Sequence, residues 1–520
     1  MSVTLTVDSR LVDDVQAAAA SRHLLGFVLL WSSDEPHRVG EVTLVPSMEL
    51  GAAATLGRAE SVDGGDVPRM EWLRQQPGHT TATGALRSPR ISRTQLNVEV
   101  YGSHTLRVSN IGRCTLMLDG CEVSTVLVSP GNLIELRGLA LMMCIQRPYE
   151  LPVADPPAPW HPFGEADIHG IVGESAVAWE LRARIAFVAG RDAHVLIRGP
   201  SGTGKELVAQ AIHYGSPRGQ QPLIARNAAT FPETLIDAEL FGNAKSFPNP
   251  GMLERPGLVG EADGSTLFLD EFAELPLNMQ AHLLRVLDSG EYTRLGEGQQ
   301  RRADFRLIAA TNRPETALKE DVLARLRLRV ELCGLDQRRE DIPLIAYHLL
   351  RRLARNDQHI AGRYYADGNC EAIPRVGRAL IEYLVRYEYT THVRELETLL
   401  WHAMAHGPRD VLDLWPAEVP PPASSSPVRP KRPTGPRSAP VVALDMAEFD
   451  YQESSAHFVL GRDPMTIPPD IIQACLDRHG GKQEPVWREL GLSSRHVLSR
   501  LVRKHGLKVK GRTPDTPESG

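Results

Sequence analysis

Gly199-Pro200-Ser201-Gly202-Thr203-Gly204-Lys205-Glu206 sets three glycines ahead of one lysine. Glycine lets the backbone curl so that consecutive N–H groups face inward, and such a cradle binds phosphate oxygens. The lysine adds a cation that reaches β- and γ-phosphates, so the expected ligand is ATP. Two other short runs carry what hydrolysis needs. Asp270-Glu271 offers one carboxylate to organise Mg2+ and a second to polarise the attacking water. Thr311-Asn312 offers a polar side chain to sense the γ-phosphate. A glycine-rich turn alone occurs in many α/β proteins; joined to these two pairs it specifies nucleotide hydrolysis.

Those groups need elements to hold them. Residues 193–198 read as a buried strand ahead of the loop, and 206–212 carry apolar residues at helical spacing behind it. The loop therefore falls at a helix N-terminus, whose dipole favours anions. Residues 266–269 and 305–310 are apolar runs of strand length ending at Asp270 and Thr311.

The 520-residue chain is too long for one core. Its apolar content of 42% and charged content of 23% are those of a soluble globular protein. Six scattered cysteines without a C-x-x-C pair argue against a disulfide frame or zinc site. The N-terminus lacks a signal pattern and no apolar run is long enough for a bilayer, so a cytoplasmic protein without a membrane contact is expected. Residues 20–148 show short alternating runs punctuated by Asp119-Gly120 and Pro130-Gly131, the pattern of an all-β sandwich. A proline-rich linker follows over 149–166. Strand and helix patterns alternate over 167–335, an α/β subdomain, and 336–407 read as a helical lid. Residues 408–465 are a Pro/Ser-rich linker, and 466–512 a small all-α domain of three short helices.

The phosphate loop departs from the general pattern, because Glu206 stands where Ser or Thr usually places a hydroxyl on Mg2+. With Ile171-Val172-Gly173-Glu174-Ser175, Asn227-Ala228-Ala229, Glu239-Leu240-Phe241-Gly242, Leu267-Phe268-Leu269-Asp270-Glu271 and Arg339-Glu340-Asp341-Ile342-Pro343, it resembles the bacterial enhancer-binding proteins. These are AAA+ activators of sigma-54 RNA polymerase, and their phosphate loop reads G-x-x-G-T-G-K-E. The resemblance spans nearly all of residues 168–406. It implies that Val172 lines the nucleotide and that Asn227 restrains the catalytic Glu271 until a signal arrives. It implies that Arg325 is an arginine finger reaching a neighbouring subunit's ATP, hence a homo-oligomer, from dimer to hexameric ring. Arg394 would be the lid arginine that reads nucleotide state. A second family arginine is Lys319 here, without the planar fork. Arg327 and Arg329 read as a solvated face.

Two stretches depart from that family. Its sigma-engaging loop reads G-A-F-T-G-A, whereas Ser246-Phe247-Pro248-Asn249-Pro250-Gly251 carries two prolines, which oppose the mobility that glycine supplies. Tyr389-Thr390-Thr391-His392 stands where the lid has W-P-G-N.

Toward the N-terminus, Leu56-Gly57-Arg58, Ser92-Arg93-Thr94-Gln95 and Asn110-Ile111-Gly112 resemble a forkhead-associated (FHA) domain. That implies a phosphothreonine site in which Arg58 bonds the phosphate, Ser92 and Arg93 support it, and Asn110 holds the peptide backbone. Gln95 replaces the family's histidine, and the insertion over 60–86 has no counterpart. A dimerising or regulatory sandwich is the competing reading. The C-terminal segment resembles a Fis-type helix-turn-helix. Between 466 and 512 ten basic residues face four acidic ones, a footprint for double-stranded DNA in a chain of net charge −6. Ser494, Arg495, His496 and Ser499 are placed to read bases, and Arg503 and Lys504 to meet phosphates.

The expectation is an ATP-hydrolysing, DNA-binding regulator of the sigma-54 activator type, controlled by a kinase-modified partner bound to the sandwich. The alternative is a regulator or repressor that binds ATP and DNA without remodelling sigma-54 polymerase. A phosphopeptide adaptor with an inactive ATPase is opposed by Lys205, Asp270, Glu271 and Arg325.

Overall fold

Aliphatic runs between residues 23 and 148 pair as antiparallel strands in two sheets. The larger runs in the order His79–Ala82, Trp72–Gln76, Val42–Leu44, His23–Ser32, Ala140–Pro148, Leu133–Leu136, Leu116–Leu118, Cys121–Glu122; the smaller is Thr125–Val128, Thr105–Asn110, Leu96–Gly102, Ala53–Leu56. The computed structural model describes residues 23–59, 67–247, 249–407 and 410–414, with Gln473, Leu476, His479, Val486, Leu498 and Val502.

Strand His23–Ser32 explains how the parts fit. Side chains alternate across a strand, and here both faces are apolar. Leu25, Phe27 and Leu29 enter the sandwich core with Trp72, Leu96, Leu106 and Met142. Leu24, Val28 and Leu30 share a second apolar cluster with Leu344, Ile345 and Leu384 of the helical lid. The lid covers the outer face of the larger sheet. Trp31 Nε1 donates to Val376 O at 2.7 Å, and Arg378 pairs with Glu135 at 3.2 Å. The sandwich and the ATPase region form one compact unit up to residue 426.

The expected α/β pattern holds. Five strands form a parallel sheet in the order Leu223–Asn227, Thr266–Asp270, Arg306–Thr311, Val195–Arg198, Leu328–Glu331. Val195–Arg198 sits between a later and the last strand, so its crossover opens a crevice at the strands' carboxyl ends, where ligands bind in such sheets. The lid follows with helices Ile342–Asn356, Gln358–Tyr364, Arg378–Arg386 and His392–His406. Among the described residues no helix is long and apolar enough to cross a membrane.

The second unit, beyond residue 426, is described only at isolated positions. Gln473, Leu476, Val486, Leu498 and Val502 are helical, and Leu476, Val486 and Leu498 are buried. Ser494, Arg495, His496, Ser499, Arg503 and Lys504 lie outside the described residues.

Gln95, the residue in the histidine position, ties the sandwich loops together. Its Oε1 accepts from the Ser92 and Cys114 N–H groups at 3.1 and 3.3 Å; its Nε2 donates to Asn110 Oδ1 and Cys114 O, each at 2.7 Å. The side chain is fully buried. Gln95→Leu strands several polar groups at once and should destabilise the sandwich by about 3 kcal/mol, measurable as a lower denaturant midpoint of the full chain.

Candidate functional site

The phosphate loop lies where Val195–Arg198 meets helix Lys205–Tyr214. Gly202 and Gly204 have φ of +75° and +95°, a region closed to most side chains. Gly202 is doubly constrained, because a Cβ there would sit 2.0 Å from Thr391 O of the lid. The lid also reaches the loop through Val393 N–H, which donates to Gly202 O at 3.1 Å, and Arg394, whose Nη1 donates to Ser201 Oγ at 3.3 Å. Lys205 is buried, its Nζ donating to Gly199 O and Pro200 O at 3.1 and 3.3 Å. Thr203 Oγ1 donates to Pro200 O at 2.8 Å. Glu206 is exposed on the helix.

A cavity of about 350 Å3 lies between this loop and the lid, lined by Val172, Leu207, Lys205, Asp270, Glu271 and Arg394 among others. The strand ends are in register around it, with Asn227 opposite Asp270 and Arg198 opposite Thr311. Asp270 Oδ1 accepts the Glu271 N–H at 2.9 Å, which leaves its other oxygen for a cation. One carboxylate with substrate phosphates is how Mg2+ is commonly held, so Asp270 fits Mg2+ here. Glu271 adopts φ of +49°, and its Oε1 accepts from Asn312 Nδ2 at 3.3 Å.

Two of the expected site residues hold other partners within the subunit. Asn227 spends its side-chain oxygen on the Ala229 N–H at 2.9 Å, and among the described residues it is Asn312 that hydrogen-bonds Glu271. Arg325 does not line the cavity of its own subunit; it is partly exposed and pairs with Asp288, Nη2 to Oδ2 at 3.1 Å.

Sequence reasoning missed Arg338, His348, Arg352 and Glu397, which also line the cavity. For His348 and Arg352 the signal was present as positions four apart on helix Ile342–Asn356, but which face meets the cavity depends on the lid's docking. His348 stays neutral at pH 7, since burial and then Arg352 lower its pKa. The paired motifs are explained by Asp341. It accepts from Glu174 N and Ser175 N at 2.8 and 2.9 Å and from Ser175 Oγ at 2.5 Å, and Gly173 has no room for a Cβ against it.

The altered lid motif makes a buried contact of its own. His392 adopts φ of +47° and is buried, and its Nδ1 accepts the Leu335 N–H at 3.2 Å. Asn243 gathers the chain on either side of the altered loop: its Nδ2 donates to Ala244 O, Phe247 O and Leu253 O at 3.0, 3.2 and 3.0 Å. Phe247 lies against Gly296, where a Cβ would approach its ring to 2.3 Å, and Ser246 has φ of +64°.

A family model described as the sigma-54 interaction domain matches residues 171–333. The transcriptional regulatory protein ZraR of Escherichia coli (strain K12) is 34% identical over 349 residues, covering 66% of this chain and 70% of that one. The chain belongs to the sigma-54-dependent transcriptional regulators. The regulator is also 41% identical over 217 residues to the DNA-binding transcriptional regulator NtrC of Klebsiella pneumoniae, covering 40% of this chain and 44% of that one. A crystal structure of NtrX from Brucella abortus in complex with ATP is 25% identical with a TM-score of 0.42, covering 66% of this chain and 70% of that one. The sigma-54 interaction domain is an ATPase module of the AAA+ class, so this regulator carries a nucleotide site of that type.

The sandwich loops also bring their expected residues together. Arg58 N–H donates to Ser92 O at 3.1 Å, and Arg113 N–H to Ser92 Oγ at 2.8 Å. Asn110 is used internally: its Oδ1 accepts from Gln95 and Gly112 N–H, and its Nδ2 donates to Cys114 O.

Glu271→Gln should retain ATP binding and lower turnover by about 100-fold or more, measured by phosphate release at saturating ATP. His392 must be unprotonated at Nδ1 to accept its bond, and burial lowers its pKa below 6.5. The lid contact is therefore whole above that pH and weakens as the pH falls through it. His392→Asn, whose amide oxygen accepts at all pH values, should bind ATP with less loss between pH 7 and 5 than the unaltered chain, by titration calorimetry.

Proposed function

We propose that this protein hydrolyses ATP in a homo-oligomeric ring, up to a hexamer, to act on sigma-54 RNA polymerase while held on double-stranded DNA by its C-terminal segment. The observation that carries the reading is the convergence of Lys205, Asp270, Glu271 and Asn312 under a lid that touches the phosphate loop. Lys205 binds the phosphates, Asp270 holds Mg2+, Glu271 polarises water, and Arg394 couples the lid to the nucleotide. Arg325 stands outside its own cavity, which supports service as a finger toward a neighbour's γ-phosphate. Asp288 holds it meanwhile. The acidic group that Arg325 trades for phosphate lies on its own chain, so assembly is the step that frees the finger.

The FHA-like sandwich senses a phosphothreonine protein, the product of a kinase. Arg58, exposed and without a side-chain partner among the described residues, takes the phosphate, and Ser92 Oγ keeps its own hydrogen to donate. The sandwich lies on the lid through Leu24, Val28 and Leu30, so peptide binding is read by the element that contacts Gly202.

The altered residues Ser246–Gly251, flanked by carbonyls that Asn243 bonds, favour a second reading, in which the regulator binds ATP and DNA without remodelling the polymerase. The two separate in one assay: open-complex formation by sigma-54 polymerase on a cognate promoter with ATP. Under the first reading Glu271→Gln abolishes open complexes; under the second none form with either chain, although ATP is hydrolysed. ATPase activity per subunit should rise cooperatively with protein concentration and fall about 1,000-fold in Arg325→Ala. A concentration-independent rate would remove the trans-acting finger.

A further inference from the structure

The loop end of the sandwich carries more positive charge than a single phosphate uses. Arg58, Arg93 and Arg113 are exposed, and among the described residues none of the three side chains has a hydrogen bond or ion pair. Their backbones are stitched together: Arg58 N–H to Ser92 O at 3.1 Å, Ala59 N–H to Arg93 O at 3.3 Å, and Arg113 N–H to Ser92 Oγ at 2.8 Å. A fourth arginine lies beneath them. Arg69 bridges Thr55 through the backbone and donates from Nη2 to Arg93 O at 2.7 Å. Its Nη1 is buried with no partner, an expensive state for a cationic donor. Burial also draws its pKa below the ordinary arginine value. Segments 57–59, 92–94 and 111–114 contain no Asp or Glu. The nearby Arg90, by contrast, is neutralised by Asp34 at 2.7 Å.

A phosphothreonine carries roughly two negative charges at neutral pH, which Arg58 and one neighbour satisfy. The remaining exposed guanidiniums are free to take another anion. Asn110 spends its amide oxygen on Gln95 and Gly112 and one Nδ2 hydrogen on Cys114 O, so a single donor is left for peptide backbone and charge dominates the reading of flanking residues.

We propose that this site selects a phosphothreonine peptide bearing a second negative group near the phosphothreonine, and that Arg69, Arg93 and Arg113 are the residues that select it. The proposal rests on the phosphothreonine reading above. Arg93 and Arg113 bind the second anion at the surface, and Arg69 braces Arg93 from below.

The test is fluorescence anisotropy of the full chain with degenerate peptide libraries built around threonine, phosphothreonine with neutral flanks, and phosphothreonine with aspartate or phosphoserine fixed at each flanking position. At least one acidic-flanked library should bind tenfold or more tightly than the neutral-flanked one, with a steeper salt dependence. In Arg113→Ala that preference should fall at least fivefold while the neutral phosphothreonine peptides still bind; Arg69→Gln should reduce it. The Arg113 substitution is at the surface and leaves the core untouched, so the result stands even where Arg69→Gln does not fold. Equal affinity for neutral and acidic flanks, or a preference unchanged in Arg113→Ala, overturns the proposal alone. Failure of every phosphothreonine library to bind overturns the phosphothreonine reading and this inference together. A stronger gain from phosphoserine than from aspartate identifies a doubly phosphorylated segment as the partner.

Discussion

Gly202 has no space for a side chain because the lid carbonyl of Thr391 occupies it. This single close approach makes the phosphate loop and the helical lid one surface. Val393 and Arg394 then bond the same loop, and His392 fastens the start of their helix to Leu335. Everything that moves the lid therefore moves the phosphate cradle. The sheet contributes the rest of the site at its carboxyl edge, where register alone aligns Asn227 with Asp270 and Arg198 with Thr311.

Much of this was legible in the chain. Apolar runs ending in polar pairs located Asp270, Glu271, Thr311 and Asn312, because a buried parallel strand must surrender its last residue to the crevice. Short alternating runs with Asp119-Gly120 and Pro130-Gly131 turns located the sandwich. Glycine spacing located the cradle. Other features were not legible, and the reasons are physical. The run Leu24 to Leu30 is apolar at every pleat position except Gly26, which marks burial on both faces, but a sequence does not name the partner. His348, Arg352 and Glu397 face the cavity only because the lid folds back on the loop. Asn227 and Asn312 are both strand-end amides, and their division of labour follows from the turn each enters. The Asn227 oxygen is turned toward the short helix Ala228–Thr230, and Asn312 is left to meet Glu271.

The departures from the family pattern have different weights. Thr391 and His392 stand where the family has a glycine and an asparagine, and here a Thr391 carbonyl and the His392 imidazole nitrogen make the contacts of the lid start. The stretch after Asn243 is another matter. Asn243 bonds the carbonyls of Ala244, Phe247 and Leu253, and Phe247 rests on Gly296, so the chain on either side of the altered residues is held to the subunit.

Strand His23–Ser32, apolar on both sides, makes the sandwich and the lid hard to separate. An ATPase fragment cut after residue 148 would display Leu344, Ile345 and their neighbours as a bare greasy scar, inviting aggregation. Exchanging the sandwich for another module thus demands compensating polar changes on the lid.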